Sequence, residues 1–214
     1  MSSDKLRKEL REKAKKISEN QQKVNDAQAI IDFMPSIPKL LTFDPEGLNL
    51  TLTSHNKLPE DISEWAINLT IKNMSEIYQK SWQWDEETKQ EEILNRNARY
   101  LVAYKGDDDP VGYIHFRFEQ LDGDFVIYIY DVQTEQSVRN SGLSKFLIQA
   151  VELIGLKIGV QACVTFVFKE DKEYMAILNG LNYQFHHTSP SVYCPDKPEK
   201  YKHEILFKPL TKTN

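Results

Sequence analysis

Tyr128-Ile-Tyr-Asp-Val-Gln-Thr-Glu-Gln-Ser-Val-Arg-Asn-Ser-Gly-Leu-Ser-Lys-Phe-Leu, ending at Leu147, is the stretch from which the fold can be read. Apolar and polar residues alternate at its start, the period of a strand. Period two puts Tyr128 and Tyr130 on one sheet face. A short polar loop follows, then the turn Arg139-x-x-Gly142-x-Ser144, then an amphipathic helix from Gly142 to Lys157. Leu143, Phe146, Leu147, Ala150, Val151 and Ile154 form the buried face of that helix. Gly142 permits close backbone approach. The amides of Asn140 to Lys145 converge at the helix start, where the dipole favours an anion, and Arg139 and Lys145 add positive charge. Such a unit suits a pyrophosphate. An ordinary helix start with a glycine turn has the same letters, so the motif alone leaves both readings open.

Working outward, residues 4–34 read as one long helix, with Leu10, Ile17, Val24 and Ile31 on one stripe and Lys13 and Asn20 interrupting a second row. The stripe is expected to pack on the chain's own body, with a partner helix as the alternative. Pro35 and Pro38 are expected to end it. Leu48 to Thr53 reads as a strand, Pro59 to Ser81 as helix, and Glu86 to Asn95 as a charged helix. Ala98–Tyr104, Val111–Glu119 and Asp124–Val132 read as three meander strands, with Asp122-Gly123 as a hairpin turn. Ala162–Phe168 reads as a strand and Lys172–Asn179 as a helix. Two further strands begin at Tyr183 and Tyr201, around a proline-marked loop. This order predicts a three-layer mixed α/β fold, with helices on both faces of a central sheet. It divides into an N-terminal helical extension over residues 1–40 and a folded domain over residues 41–210.

The 214 residues carry a net charge of −5, unevenly spread. Lys5 to Lys16 holds seven basic and two acidic residues, so that segment is +5 and the remainder −10. An acidic body suits a cationic ligand better than nucleic acid, and no stable nucleic-acid binding is expected. The basic arm is read as a solvated helix face, a nucleic-acid contact or a nuclear address. No apolar run reaches the ~20 residues of a membrane span, and the N-terminus lacks the apolar core of a secretory signal. Cys163 and Cys194 lack metal-ligand spacing, Cys163 reads as a buried thiol, and a reducing compartment fits. The pair His186-His187 is not read as a metal site. Neighbouring strand residues face opposite ways, and no third ligand is near in sequence. No metal is expected.

At Arg139-x-x-Gly142-x-Ser144 the chain resembles the GCN5-related N-acetyltransferase (GNAT) superfamily, whose acetyl-CoA turn reads Gln or Arg, x, x, Gly, x, then Gly or Ala. Ser144 departs at the last place. More narrowly, several segments resemble the NatD family of N-terminal acetyltransferases for histones H-four and H-two-A. They are Glu64-Trp-Ala66, Tyr78 with Trp82 and Trp84, His115-Phe-Arg-Phe118, Tyr128-x-Tyr-Asp-Val-Gln133, Gly142-Leu-x-Lys-Phe-Leu-Ile-Gln149, Val167-Phe-Lys169, Thr188-Ser-Pro-Ser191 and Glu204-Ile-Leu206. The resemblance covers about Glu60 to Phe207. It implies a mostly antiparallel sheet, splayed for acetyl-CoA between the strands ending near Val132 and starting near Ala162. Backbone groups of Val132, Gln133 and Thr134 would bind pantetheine. Arg139, Asn140, Ser141, Gly142, Leu143, Ser144 and Lys145 would hold the pyrophosphate.

The resemblance also distributes chemical roles. Asp131 is the candidate base, directly or through a water. The family has Glu there, and Asp is one methylene shorter. Tyr128, Tyr130, Glu119, Tyr78, Trp82 and Thr188 fall at substrate-contacting positions, and His203 where the family has Tyr. Tyr130 borders the chemistry, and Tyr174 is the candidate proton donor to the departing thiolate. The reading is therefore an α-amine acetyltransferase for basic histone tails, monomeric, cytoplasmic and nuclear. A lysine or small-amine acetyltransferase and a non-catalytic acyl-CoA-binding recruiter are the alternatives.

Overall fold

The computed structural model describes residues 3–37, 48–81, 85–106 and 108–210. Among these, seven strands form one sheet in the order β1-β2-β3-β4-β5-β7-β6. They are β1 (Leu50–His55), β2 (Arg99–Lys105), β3 (Asp109–Leu121), β4 (Asp124–Thr134), β5 (Ala162–Phe168), β6 (Gln184–Phe185) and β7 (His203–Pro209). Only β4 and β5 pair in parallel; every other neighbouring pair is antiparallel. The helices are α1 (Ser3–Gln28), α2 (Glu60–Ser81), α3 (Glu86–Ile93), α4 (Leu143–Ile158), α5 (Lys172–Gly180) and the short α6 (Pro190–Tyr193). The β3–β4 turn uses Asp122 at φ 52° and Gly123 at φ 87°. Two consecutive left-handed residues match the right-handed twist of the flanking strands. No described helix is long and apolar enough to cross a membrane.

The strand period sorts side chains into two layers. Phe116, Phe118, Ile127 and Ile129 are fully buried with Leu147, Val151 and Ile154 of α4, Leu178 of α5 and Val24 and Ala27 of α1. On the opposite face Tyr100, Val102 and Tyr113 bury against Leu58, Ile62, Ala66 and Leu69 from α2 and the turn before it. Each large apolar side chain so buried contributes about 1.5–3 kcal/mol. Cys163 is buried and free. Gly112 of β3 lies beneath the start of α4, where a Cβ would come within 2.9 Å of the Leu143 side chain and 3.1 Å of the Gln133 carbonyl. Only glycine allows that approach.

Four expectations need correction. The long helix ends at Gln28 rather than running to Met34, so Pro35 does not stop it; Pro38 lies outside the described residues. Its stripe docks only in part: Val24 and Ala27 are buried, while Leu10 is 58 % and Ile31 71 % exposed. Asn20, read as an interruption, is instead an anchor. It is buried and donates from Nδ2 to the Gly123 carbonyl at 2.7 Å. The hairpin offers a carbonyl at that point, so a polar residue docks better than an apolar one. Finally, His186 and His187 do not diverge. β6 ends at Phe185, so strand alternation no longer governs them, and their ring centroids lie 4.1 Å apart.

Candidate active site

The parallel pair β4–β5 runs from Val126↔Ala162 to Ile129↔Thr165 and stops, although β4 continues to Thr134 and β5 to Phe168. Beyond that fork, the β5-facing edge of Val132, Gln133 and Thr134 has no strand neighbour among the described residues. Thr165 closes the last rung by donating from Oγ1 to the Ile129 carbonyl at 3.0 Å, and its oxygen lies 3.0 Å from the Tyr174 hydroxyl. The fork opens into a cleft of about 670 Å³ lined by Val132–Thr134, Arg139, Asn140 and Gly142–Lys145, with Glu170 to Tyr174 opposite.

The turn at the mouth of the cleft is backbone-built. Asn140 at φ 64° and Gly142 at φ 87° are left-handed, and Gly142 caps α4 without a side-chain hydrogen bond. Ser141 Oγ lies 3.3 Å from the Leu143 amide. The Leu143 amide donates to that hydroxyl, while the first turn of α4 leaves the Ser144 and Lys145 amides without an intrahelical acceptor at the positive end of the helix, beside the cleft. Asn73 of α2, which the sequence did not single out, ties this mouth together. It donates to Gln133 Oε1 at 3.1 Å and to the Thr134 carbonyl at 3.2 Å, and accepts from Arg139 Nη2 at 3.0 Å. The free strand edge and the amide-lined turn fit the pantetheine amides and the diphosphate of acetyl-CoA respectively.

A second, smaller cavity of about 40 Å³ adjoins the cleft through Val132, Gln133, Asp171 and Tyr174, and is walled by Tyr78, Tyr130, Asp131, Phe166 and Phe168. A water needs about 10–15 Å³, so this space holds about three groups of that size. A β-bulge builds it. His115 pairs with Asp131 and Phe116 with Ile129, leaving Tyr130 as the extra residue. A regular strand would send Tyr130 and Asp131 to opposite faces; the bulge turns both towards the cavity. The rings of Tyr100, His115, Tyr130 and Tyr128 then follow one another at 5.3, 5.0 and 5.0 Å. The Arg117 guanidinium lies 3.9 Å above the Tyr130 ring, and Tyr130 donates to Glu119 Oε1 at 2.6 Å.

Asp131, 5 % exposed, is not alone. Lys89 of α3, equally buried, places Nζ 2.9 Å from Asp131 Oδ2 and 5.6 Å from the centre of the Tyr78 ring. His115 Nδ1 stands 3.7 Å from the same oxygen. Burial alone would raise the Asp131 carboxyl, but the Lys89 charge and His115 overcome this and hold it below its ordinary value. Burial opposes the Lys89 charge too, yet Asp131, Tyr78 and Glu92 hold its pKa well above normal. His115 goes the other way, its pKa lowered by burial more than Asp131 can restore. Arg117 Nε donates to His115 Nε2 at 3.3 Å, so Nδ1 carries the proton of the neutral ring. Burial pushes Tyr78 and Tyr128 up to about 12, and raises Tyr130 and Tyr174 further still. All four phenols stay protonated at neutral pH.

The remaining sequence-derived positions are spread around this centre. Tyr78 packs edge-on against Phe168 at 4.8 Å, and His203 stacks on Phe166 at 4.6 Å. Thr188 is exposed outside both cavities, with Oγ1 2.7 Å from His186 Nδ1. Trp82 and Trp84 lie outside the described residues. Phe166 and Phe168 were not singled out, although their alternation in Ala162–Phe168 carries the same period-two signal as the tyrosines.

Residues 67–178, just over half of the chain, match the acetyltransferase (GNAT) family. The chain belongs to that family. The GNAT fold is also found in solved structures of low identity. A PaiA N-acetyltransferase from Thermoplasma acidophilum, solved with coenzyme A, is 13 % identical, with a TM-score of 0.55 over 74 % of this chain and 99 % of that one. The ribosomal-protein-S18-alanine N-acetyltransferase of Escherichia coli is 13 % identical, with 0.53 over 77 % and 96 %. NAA60 of Arabidopsis thaliana, solved with a bisubstrate analogue, is 10 % identical, with 0.53 over 74 % and 98 %. At such identities the likeness speaks for the fold. The GNAT acetyltransferase assignment rests on the family match.

Proposed function

We propose that this GNAT acetyltransferase modifies the free α-amine of basic protein N-termini, the Ser-Gly-Arg-Gly tails of histones H-four and H-two-A, in the manner of the NatD family it resembles. The observation that carries the α-amine reading is the Lys89–Asp131 pair. A carboxylate held below its ordinary pKa is a weak base, so the site favours an amine already partly neutral at pH 7. A peptide α-amine, with a pKa near 8, meets that condition, whereas lysine at about 10.4 does not. The acidic body and the Glu119–Tyr130 pair at its rim favour a basic tail. Action as a monomer in cytoplasm and nucleus belongs to the same reading.

When bound, acetyl-CoA supplies a thioester whose C–S bond is exchanged for a C–N bond to the amine. Val132–Thr134 hold the pantetheine amides as an added strand. The amides of Gly142 to Lys145, with Arg139 and Lys145, hold the diphosphate. Tyr78, Tyr130, Phe166 and Phe168 exclude bulk water from the amine. The amine attacks in its neutral form, and the proton it sheds as the C–N bond forms would pass to solvent through a water oriented by Asp131. Tyr174 keeps its hydroxyl proton at the fork, within reach of the departing sulfur.

The test is mass spectrometry of a basic tail peptide after incubation with acetyl-CoA, with the N-terminus free or blocked. One acetyl on the α-amine of the free peptide, and none on the blocked one, is expected. Comparable labelling of lysine in the blocked peptide would instead establish the side-chain reading. Binding of acetyl-CoA without turnover on any amine would leave a non-catalytic recruiter.

A further inference from the structure

Three side chains outside the cleft converge on one point. Asp122 stands at the tip of the β3–β4 hairpin, and His186 and His187 follow β6. His187 Nε2 lies 3.2 Å from Asp122 Oδ2, and His186 Nε2 lies 4.0 Å from the same oxygen. The three candidate ligand atoms all fall within 4.8 Å of one another. Neighbouring Asp124 is engaged elsewhere, accepting from Lys16 Nζ at 2.6 Å and Gln161 Nε2 at 2.9 Å.

A simple ion pair with Asp122 accounts for His187 but not for His186. His186 Nε2 is too far from the carboxylate for a hydrogen bond, yet it is aimed at the same oxygen. Its other nitrogen is occupied: Nδ1 lies 2.7 Å from Thr188 Oγ1, with the Thr188 amide farther off at 3.4 Å. Thr188 thereby holds the Nδ1 edge of the ring, its amide donating to Nδ1 and its hydroxyl able to donate or accept, and leaves Nε2 on the hairpin side, where it would ligate in the tautomer that carries the proton on Nδ1. A neighbour holding the second ring nitrogen is what ligating histidines have. Four-coordinate zinc, with bonds of about 2.0–2.2 Å, spaces its ligand atoms about 3.3–3.6 Å apart. The 3.2 Å separation is close to that range, and the 4.0 Å one closes to it with a small turn of the His186 ring. Two imidazoles and one carboxylate suit a zinc-class ion, whereas magnesium and calcium prefer oxygen alone.

We infer that Asp122, His186 and His187 form a binding site for a zinc-class divalent cation, with the fourth position taken by water or an exogenous ligand. Such an ion clasps the β3–β4 hairpin to the loop that carries Thr188. The clasp stands on the face of the acceptor tyrosines: Tyr128, Val164 and Phe207 share one row of the sheet, and the His186 ring packs edge-on against Phe207 at 5.3 Å. The inference is independent of the amine acceptor.

Cobalt(II) titration of the full, chelator-treated chain tests it. Saturable micromolar binding is expected, with the intense visible band of four-coordinate cobalt, displaced by zinc. Zinc should also raise the melting temperature. His187→Ala and Asp122→Asn alter exposed side chains, and Asn tolerates the left-handed φ at position 122. Each should weaken binding at least tenfold while the metal-free melting temperature stays put. Should His187→Ala lower that temperature, His187→Gln serves in its place. Failure to saturate in the micromolar range, a pale six-coordinate spectrum, or binding unchanged in both variants overturns the site and leaves an ion pair only.

Discussion

The cofactor cleft and the acceptor cavity touch along β4 but are built in opposite ways. One wall of the cleft is made largely of backbone: a strand edge, two left-handed residues and the start of one helix, all within a single run from Val132 to Lys145. The cavity is made of side chains delivered by α2, β4, β5 and the start of α5, with its carboxylate held by Lys89 of α3. Backbone-built sites tolerate side-chain change because the ligand meets amides. Side-chain-built sites concentrate their energy in a few buried contacts.

That contrast can be broken by experiment, most severely at Lys89. Lys89→Met leaves Asp131 buried without its principal counter-charge and should cost about 3–5 kcal/mol of stability by denaturant melting. The double variant Lys89→Met, Asp131→Asn should recover most of that loss, and failure to recover it would deny the pairing. Asp131→Asn alone should lower turnover roughly 10²–10³-fold, with acetyl-CoA affinity by calorimetry within about twofold of the parent. An equal fall in cofactor affinity would mean that cleft and cavity are not separable. Gly112→Ala is the complementary probe, since its methyl would press on Leu143 beneath the turn. About 1–3 kcal/mol of stability should be lost, with weakened acetyl-CoA binding and an unchanged KM for peptide. An unaltered affinity would show that the turn does not depend on this packing.

The smallest expected effect is on pH dependence. His115 has a folded-state pKa depressed by burial. Its contribution to stability is therefore complete above the ordinary value near 6.5 and declines as pH falls below it. Asp131, also depressed, adds a second decline below about pH 4. His115→Phe should flatten the first decline and leave the second. His55, His186 and His203 are also lowered, so a residual slope is expected. A slope unaltered by the substitution would assign the whole decline to those three.

The same division decides what could be read from the sequence. The cleft was legible because its residues are consecutive, and a strand, a glycine turn and an apolar helix face each announce themselves locally. The tyrosine pair was legible by period. Lys89 was not. Glu86 to Ile93 shows no apolar stripe, and nothing in it distinguishes the one buried lysine from its solvated neighbours. The ring convergence of His186 and His187 is hidden for a related reason: the letters do not show that strand alternation ends at Phe185. The half-docked α1 shows the limit of periodicity as well. A stripe records which face would bury, but the extent of the body beneath decides how much of it does.

The extra residue at Tyr130 has one more consequence. Because the pocket exists only where the pleat is broken, its chemistry is coupled to strand length rather than to residue identity alone. Deleting one position between Ile129 and Val132 would restore a regular ladder and leave a single residue, either the tyrosine or the aspartate, opposite His115 on the cavity face. Variation in acceptor preference is thus open to exchange of side chains along β4, whereas a single-residue insertion or deletion there would erase the site while leaving the sheet intact.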